Sequence, residues 1–309
     1  MRAMLLAAGL GERMRPLSEL LAKPVLPVLG RPLAHWTLDR LRAAGVTDVV
    51  VNTHHLAETV RAALGDGRRL GLRLRYSHEP EILGTGGGPR RARALLGDEP
   101  VLVVNGDVLF GFDLRRLVEG HRRSGALVTL ALRPNPDPRR YPPVVTDAAG
   151  RILSIRGGPR PGRGTAWLFA GVHVLAPRLY ERLAEGPSDV IEALYLPLLA
   201  EGALLRGVRP RGAWYDLGRP APYLRAQLAL LRRGWQGLPS PLVAPGARVQ
   251  RGARVHAIGE LVQETWTDRE TGDERSEFKL NLDAVYPSLV KIEAVRFKPK
   301  REVPPVAGA

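Results

Sequence analysis

Cysteine is absent from all 309 residues, which excludes disulfides, thiolate metal sites and cysteine nucleophiles. Lysine is nearly absent as well, for Lys23 is the only one before residue 257. Long apolar runs are missing: VLVV and ALYLPLLA stop far short of the roughly 18 residues that cross a bilayer. The start, MRAMLLAAG, meets glycine and then charge before a signal-peptide stretch develops, so no membrane partner is expected and the cytoplasm is the expected compartment. Aromatic residues make up 6% of the chain and no basic run is interleaved with them. No zinc-finger spacing, RNA-recognition motif, G-x-S-x-G elbow or Gly-Lys-Ser/Thr phosphate loop occurs.

What is present is a 44% hydrophobic content, enough to fill a proper core, and a formal charge of +15. That charge comes almost entirely from arginines scattered along the chain, a skew that a GC-rich coding sequence also produces. Nucleic acid is therefore not an expected partner, whereas small anionic substrates suit the charge.

The first half alternates apolar strand-like runs with helical patterns, as parallel α/β proteins do. Strands are expected at 2–7, 48–52, 72–77, 101–105 and 126–133, with helices at 32–44, 56–64, 89–96 and 114–124. VLVVN is a continuous apolar run, the mark of a strand buried on both faces. From about Val144 the pattern shifts: VVTDAAGRILSI predicts a hairpin and WLFAGVHVL a strand, with helical patterns at 178–184, 190–201 and 221–233. The domain organisation expected is one α/β domain over 1–236, a hexapeptide-repeat-like segment over 237–257, and a tail over 258–309 of unknown role. The repeat rests on Val243, Val249 and Val255, spaced six apart, and the strand-like LVKIEAVRF lies in the tail. Two repeat units cannot close a solenoid alone, so the unfinished coil predicts packing on the main domain or on a second copy in a homo-oligomer.

GLGERMRP, running from Gly9 to Pro16, directly follows the first strand. As a dinucleotide fingerprint it fails, with Met14 at the third glycine position and Asn52 where an acidic residue would hold a ribose. Gly9 and Gly11 let the backbone approach a phosphate chain, while Arg13, Arg15 and Lys23 supply positive charge suited to a triphosphate. A second stretch, VLVVNGDVLF, puts Asp107 at the carboxyl end of a buried strand, where open α/β sheets place ligand chemistry and where a carboxylate can hold Mg²⁺. AWYDLGRP offers Asp216 as a second ligand. The adjacent His54 and His55 lack helical ligand spacing and are not expected to hold a metal.

The combination GLGERMRPL with AKPVLPV, then EILGTGGG, VNGDVLF and WYDLGRPAPY, in that order over about residues 1–233, resembles the sugar-1-phosphate nucleotidyltransferases. GERMRP and TGGG are similar to N-acetylmuramate-1-phosphate uridylyltransferases, and VNTHHLAETV and FAGVHVLAP to mannose-1-phosphate guanylyltransferases. The resemblance implies an α/β fold with a Rossmann-like mixed, mostly parallel sheet, followed by a short left-handed β-helix-like extension of hexapeptide repeats. It implies condensation of a nucleoside triphosphate with a sugar-1-phosphate, supplying NDP-sugar to cell-envelope polysaccharide. By the same resemblance Arg13 and Lys23 are catalytic, and Asp107 and Asp216 bind the cofactor Mg²⁺. Ala8, Gly9, Gly11, Arg15, Glu79, Gly86, Gly87 and Asn105 bind the nucleotide, and Gly171 lines the sugar pocket. Gly158 occupies the position of the family's acceptor lysine, and Arg156, Arg160 or Arg163 is expected to supply that charge, with Arg156 the first candidate. The alternative is a non-catalytic, ligand-sensing homologue of the same fold.

Overall fold

The computed structural model describes residues 1–159, 164–233, 260–267 and 274–281. It divides into two units, Met1–Gly234 and Trp235–Ala309. The hexapeptide segment at 237–257, LVKIEAVRF, Arg160 and Arg163 lie outside the described residues.

The first unit opens with β1 (Arg2–Leu6), the short β2 (Pro27–Val28) and β3 (Arg31–Pro32), α1 (Leu33–Ala43), β4 (Asp48–Thr53), α2 (Ala57–Leu64) and β5 (Arg73–His78). Next come α3 (Gly84–Arg91), α4 (Arg93–Leu96), β6 (Val101–Asn105), β7 (Val108–Phe110), α5 (Leu114–Ser124) and β8 (Val128–Pro134). A hairpin of β9 (Val144–Thr146) and β10 (Ile152–Ile155) precedes β11 (Thr165–Leu175), α6 (Leu196–Ala200), β12 (Leu205–Val208), β13 (Trp214–Asp216) and α7 (Pro220–Arg233). In the second unit, β14 (Glu260–Thr267) pairs antiparallel with β15 (Glu274–Asn281), a hairpin the sequence patterns did not single out.

Strands β12, β8, β11, β6, β1, β4 and β5 lie side by side in that order, and β9 with β10 extends from the first half of β11. Neighbours from β6 to β5 are parallel, and β11 runs against both β6 and β8. The sheet is therefore mixed and mostly parallel. Successive side chains of a strand point to opposite faces, and the core divides accordingly. Ala3, Leu5, Val49, Val51, Leu102 and Val104 face one apolar layer, against α1, α2 and α5. Met4, Val50, Val101 and Val103 face the other, against α4 and the 179–199 segment. Helix α5 follows its sequence signals closely: the Asp113 carboxylate accepts from Arg115 N at 2.9 Å, and Gly125, at φ 65°, ends it.

Three differences from the sequence expectation matter for the site. The GTGGG run, which precedes the helix expected at 89–96, is itself the start of α3. Strands β7 and β13, three residues each, were not anticipated because so few residues show no periodicity. The helical patterns at 178–184 and 190–201 resolve into a 3₁₀ helix, Pro177–Arg182, and a π-helical turn, Ile191–Tyr195, that leads into α6. No helix among the described residues is long and apolar enough to cross a membrane.

The second apolar layer encloses His173 of β11, 1% exposed, whose ring nitrogens have no hydrogen-bond partner among the described residues. Burial pulls its imidazole down to about 3 from the usual 6.5. The folded state thus keeps His173 neutral while the unfolded chain protonates it, so stability is full above about pH 6.5 and falls as pH drops below it. Urea midpoints should show a loss of about 2 kcal/mol between about pH 7.5 and pH 5 from this group. His173→Leu should remove that part of the slope, and an unchanged slope would contradict this account.

Candidate active site

The site lies at the carboxyl ends of β1, β4 and β6, where parallel α/β sheets bind ligands. The glycine-arginine loop leaves β1 and turns at Gly11, whose left-handed φ of 70° admits a tight 3₁₀ turn at Glu12–Met14. Gly11 O accepts both Ser18 Oγ and Met14 N at 2.7 Å. Met14 is 0% exposed, so the residue that breaks the dinucleotide fingerprint is the anchor that ties the loop to the core. Arg13 and Arg15, on either side of it, are exposed.

A cleft of about 270 Å³ opens below this loop. Of the residues the sequence singled out, Ala8, Gly9, Lys23, Asn105 and Asp107 form its walls, joined by Asn52, Ile82 and Thr85. Asp216 is not among the wall residues of this cleft but is brought beside Asp107 through β13, which pairs with β7 so that Asp216 stands opposite Val108, while Leu217 N donates to Asp107 O at 2.8 Å. Lys23 Nζ lies 2.9 Å from Asp107 Oδ2. The convergence is centred on Gly218. A Cβ built there would stand 2.9 Å from Asp216 Oδ1, 3.4 Å from Asp107 Oδ2 and 3.5 Å from Arg13 Nη2. Two carboxylate oxygens and a guanidinium thus face one small space that only a glycine leaves open.

The outer oxygen of Asp216 is occupied differently. Its Oδ2 accepts from Arg140 Nη2 at 2.6 Å and from the Tyr141 hydroxyl at 2.8 Å. Burial, and then the Asp216 carboxylate, push the Tyr141 phenol up to about 12, so it stays a donor across the ordinary pH range. Sequence reasoning missed Arg140 and Tyr141, which sit in a Pro/Arg-rich turn with no motif. It also missed Gly218, whose signal is its place two residues after a candidate ligand.

Several other predicted residues are elsewhere. Glu79 does not face the cleft: it is 0% exposed, its Oε1 accepting from Asn52 Nδ2 at 2.7 Å and its Oε2 from Leu83 N at 3.0 Å. Asn52 Oδ1 in turn accepts from Ala7 N at 2.8 Å, so Glu79 braces the ends of β1 and β4 from behind. Gly86 and Gly87 are also turned away, because α3 rotates them into the protein. A Cβ at Gly86 would stand 2.6 Å from Ser188 Oγ, and one at Gly87 would collide with Gly186 O. Gly84 and Thr85, two residues earlier and so on the other face of the helix, are the residues of that segment that border the cleft. Gly171, at φ 71°, lies behind Asn105, its virtual Cβ 3.0 Å from Asn105 Nδ2. Arg156 is not free for a substrate phosphate: its Nη1 lies 3.2 Å from Asp189 Oδ1 and 3.0 Å from Glu192 Oε1. His54 and His55 each bond a backbone carbonyl, Glu79 O and Ser18 O.

The sequence profile described as nucleotidyl transferase matches residues 2–233. Mannose-1-phosphate guanylyltransferase of Mycobacterium tuberculosis is 35% identical over 261 residues, 81% of this chain and 72% of that protein. N-acetylmuramate alpha-1-phosphate uridylyltransferase of Neisseria meningitidis is 35% identical over 231 residues, 74% of this chain and 97% of that protein. Among solved structures, HddC from Yersinia pseudotuberculosis complexed with GMP-PN superposes with a TM-score of 0.62 at 21% identity, over 74% of this chain and 99% of that one. UDP-glucose pyrophosphorylase from Acinetobacter baumanii gives a TM-score of 0.62 at 21% identity, over 75% and 94%. At these identities the two structures speak for the fold alone.

Proposed function

Because the chain belongs to the nucleotidyl transferase family, we propose that it joins a nucleoside triphosphate to a sugar-1-phosphate, giving an NDP-sugar and pyrophosphate. The observation that carries the reading is the meeting of Asp107, Asp216 and Arg13 around Gly218, with Lys23 on Asp107. In this reaction an oxygen of the sugar phosphate forms a bond to the α-phosphorus, and the bond from that phosphorus to the α–β bridging oxygen breaks. The electron pair leaves with pyrophosphate. The attacking phosphate is already ionised near neutral pH, so no protein base is required. The work left to the protein is to hold two mutually repelling anions in line and to stabilise the charge that develops between them. Arg13 and Lys23 carry that charge on the nucleotide side, Gly9 brings the backbone to the phosphates, and Met14 holds the loop in place.

The donor set fits Mg²⁺. Two hard carboxylate oxygens, Asp107 Oδ2 and Asp216 Oδ1, face one space, and no group of three or more His, Cys, Asp or Glu suited to a metal occurs among the described residues. Mg²⁺ takes one or two carboxylates and completes its shell with phosphate oxygens and water, so this pair suffices. Bound there, it would neutralise charge on the α-phosphate and the incoming phosphate.

The substrate pairs supported by the relatives are GTP with mannose-1-phosphate and UTP with an amino-sugar-1-phosphate, the first matching the M. tuberculosis protein by name and the second the N. meningitidis one. A ligand present at 100 times its Kd stabilises by about 2.7 kcal/mol. A thermal-shift screen of the triphosphates with Mg²⁺ should therefore raise Tm for GTP or for UTP and leave the rest unmoved. Pyrophosphate release should then appear with the matching sugar phosphate. Release with no pair would sink the transferase reading and favour the ligand-sensing homologue, against which the assembled Arg13, Lys23, Asp107 and Asp216 speak.

A further inference from the structure

Each carboxylate at the Gly218 space has its own cation. Lys23 lies 2.9 Å from Asp107 and Arg140 lies 2.6 Å from Asp216. Lys23 and Asp107 border the cleft that opens below the glycine-arginine loop. Asp216 borders a second hollow, about 360 Å³ in volume, walled by Arg140, Tyr141, Trp214, Pro222 and Arg225. The two hollows have no wall residue in common. They meet through the carboxylate pair, since Asp107 Oδ2 and Asp216 Oδ1 face the same point beside Gly218.

A reaction that joins two phosphate groups needs two anion sites that abut at one phosphorus. We propose that Arg140 receives the phosphate of the sugar-1-phosphate in the hollow beside Asp216, as Lys23 receives the nucleotide phosphates beside Asp107; the inference rests on the transfer reaction proposed above. A guanidinium is a planar fork that matches a phosphate with two parallel hydrogen bonds. The Arg140 side chain is 28% exposed, so an incoming dianion can reach it. Its guanidinium lies over the Tyr141 ring at 4.9 Å, so the ring supports one face of the fork. When it turns from Asp216 to the substrate, Asp216 Oδ2 keeps the Tyr141 hydroxyl as donor. Trp214 stands edge-on to Tyr141 at 6.2 Å and adds an apolar wall against which a sugar ring can pack. Arg156, the cation the sequence offered for this task, lies between two carboxylates, Asp189 and Glu192, whereas Arg140 is paired with one.

The test uses the full chain, wild type and Arg140→Gln, with Arg140→Lys and Arg156→Gln alongside. Mannose-1-phosphate and glucosamine-1-phosphate are titrated by calorimetry in the presence of Mn²⁺ and a non-hydrolysable triphosphate, and KM for each substrate is measured in turnover. Arg140→Gln should weaken sugar-phosphate binding and raise its KM by about tenfold or more, the effect of losing a charged hydrogen-bond partner. Triphosphate and Mn²⁺ affinity should change by less than about twofold, and Arg140→Lys should recover part of the loss. Weakened Mn²⁺ binding with normal sugar-phosphate affinity would mean that Arg140 only holds Asp216, and the proposal falls. It falls equally if Arg156→Gln, and not Arg140→Gln, raises the sugar-phosphate KM. A wild type that binds sugar phosphate through Arg140 yet releases no pyrophosphate would overturn the transfer reaction and leave this assignment standing. One that binds no sugar phosphate at all would overturn both.

Discussion

Gly218→Ala is expected to lower turnover by about 10²–10³-fold while leaving the fold intact, because a misplacement of about 1 Å at the reacting groups can cost 10²-fold alone. The added methyl would enter the space between Asp216 Oδ1 at 2.9 Å, Asp107 Oδ2 at 3.4 Å and Arg13 Nη2 at 3.5 Å. That is the space the proposed metal and α-phosphate would share. Gly218 is not among the glycines with positive φ, so alanine is compatible with its backbone. The Gly218 amide donates to Asp216 Oδ1 at 2.8 Å, so the methyl acts on the oxygen that this amide holds. The loss should therefore appear in kcat and in Mn²⁺ affinity, with Tm within a few degrees of wild type. Near-normal turnover in a folded variant would show that the carboxylate pair is not where the phosphates meet.

Lys23→Ala should reduce turnover by about 10²–10³-fold, the loss seen when one transition-state donor is removed. Its effect should differ in kind from that of Gly218→Ala. The Lys23 side chain is mostly buried, 13% exposed, against Asp107, and its removal leaves that carboxylate without its cation. Triphosphate affinity should fall together with kcat, while affinity for the sugar phosphate stays close to normal. Lys23→Arg should restore little, because a branched guanidinium does not fit the place of a compact ammonium. Steady-state kinetics paired with calorimetric binding of a non-hydrolysable triphosphate separates these terms. Wild-type-like turnover in Lys23→Ala would remove the residue from the machinery.

The parts of the fold that were legible in the sequence are those whose signals are local. The buried runs of β4 and β6 show as unbroken apolar stretches, and α5 shows as a periodic segment between Asp113 and Gly125. The candidate residues Lys23, Asp107 and Asp216 were visible as separate motifs. Their meeting was not, because it depends on the pairing of β7 with β13, two strands too short to announce themselves. That Glu79, Gly86 and Gly87 are buried and do not line the cleft was not legible for a related reason. Five residues of which four are glycine have low helix propensity, yet close packing against the 186–188 segment makes them a helix, and the rotation of that helix sets which of them face the ligand. Arg140 gave no signal at all, since its significance lies in a partner from the far end of the domain.

The glycines of α3 also bear on how this enzyme's substrate range can be changed. Gly86 N donates to Ser188 O at 2.8 Å, Ser188 N donates to Leu83 O at 2.9 Å, and there is no room for a side chain between the two segments. The rim of the cleft and the 186–188 turn are consequently one unit in any mutational search. A library that randomises the TGGG segment alone will mostly yield misfolded clones, whereas one that varies it jointly with residues 186–188 can move the rim and remain foldable.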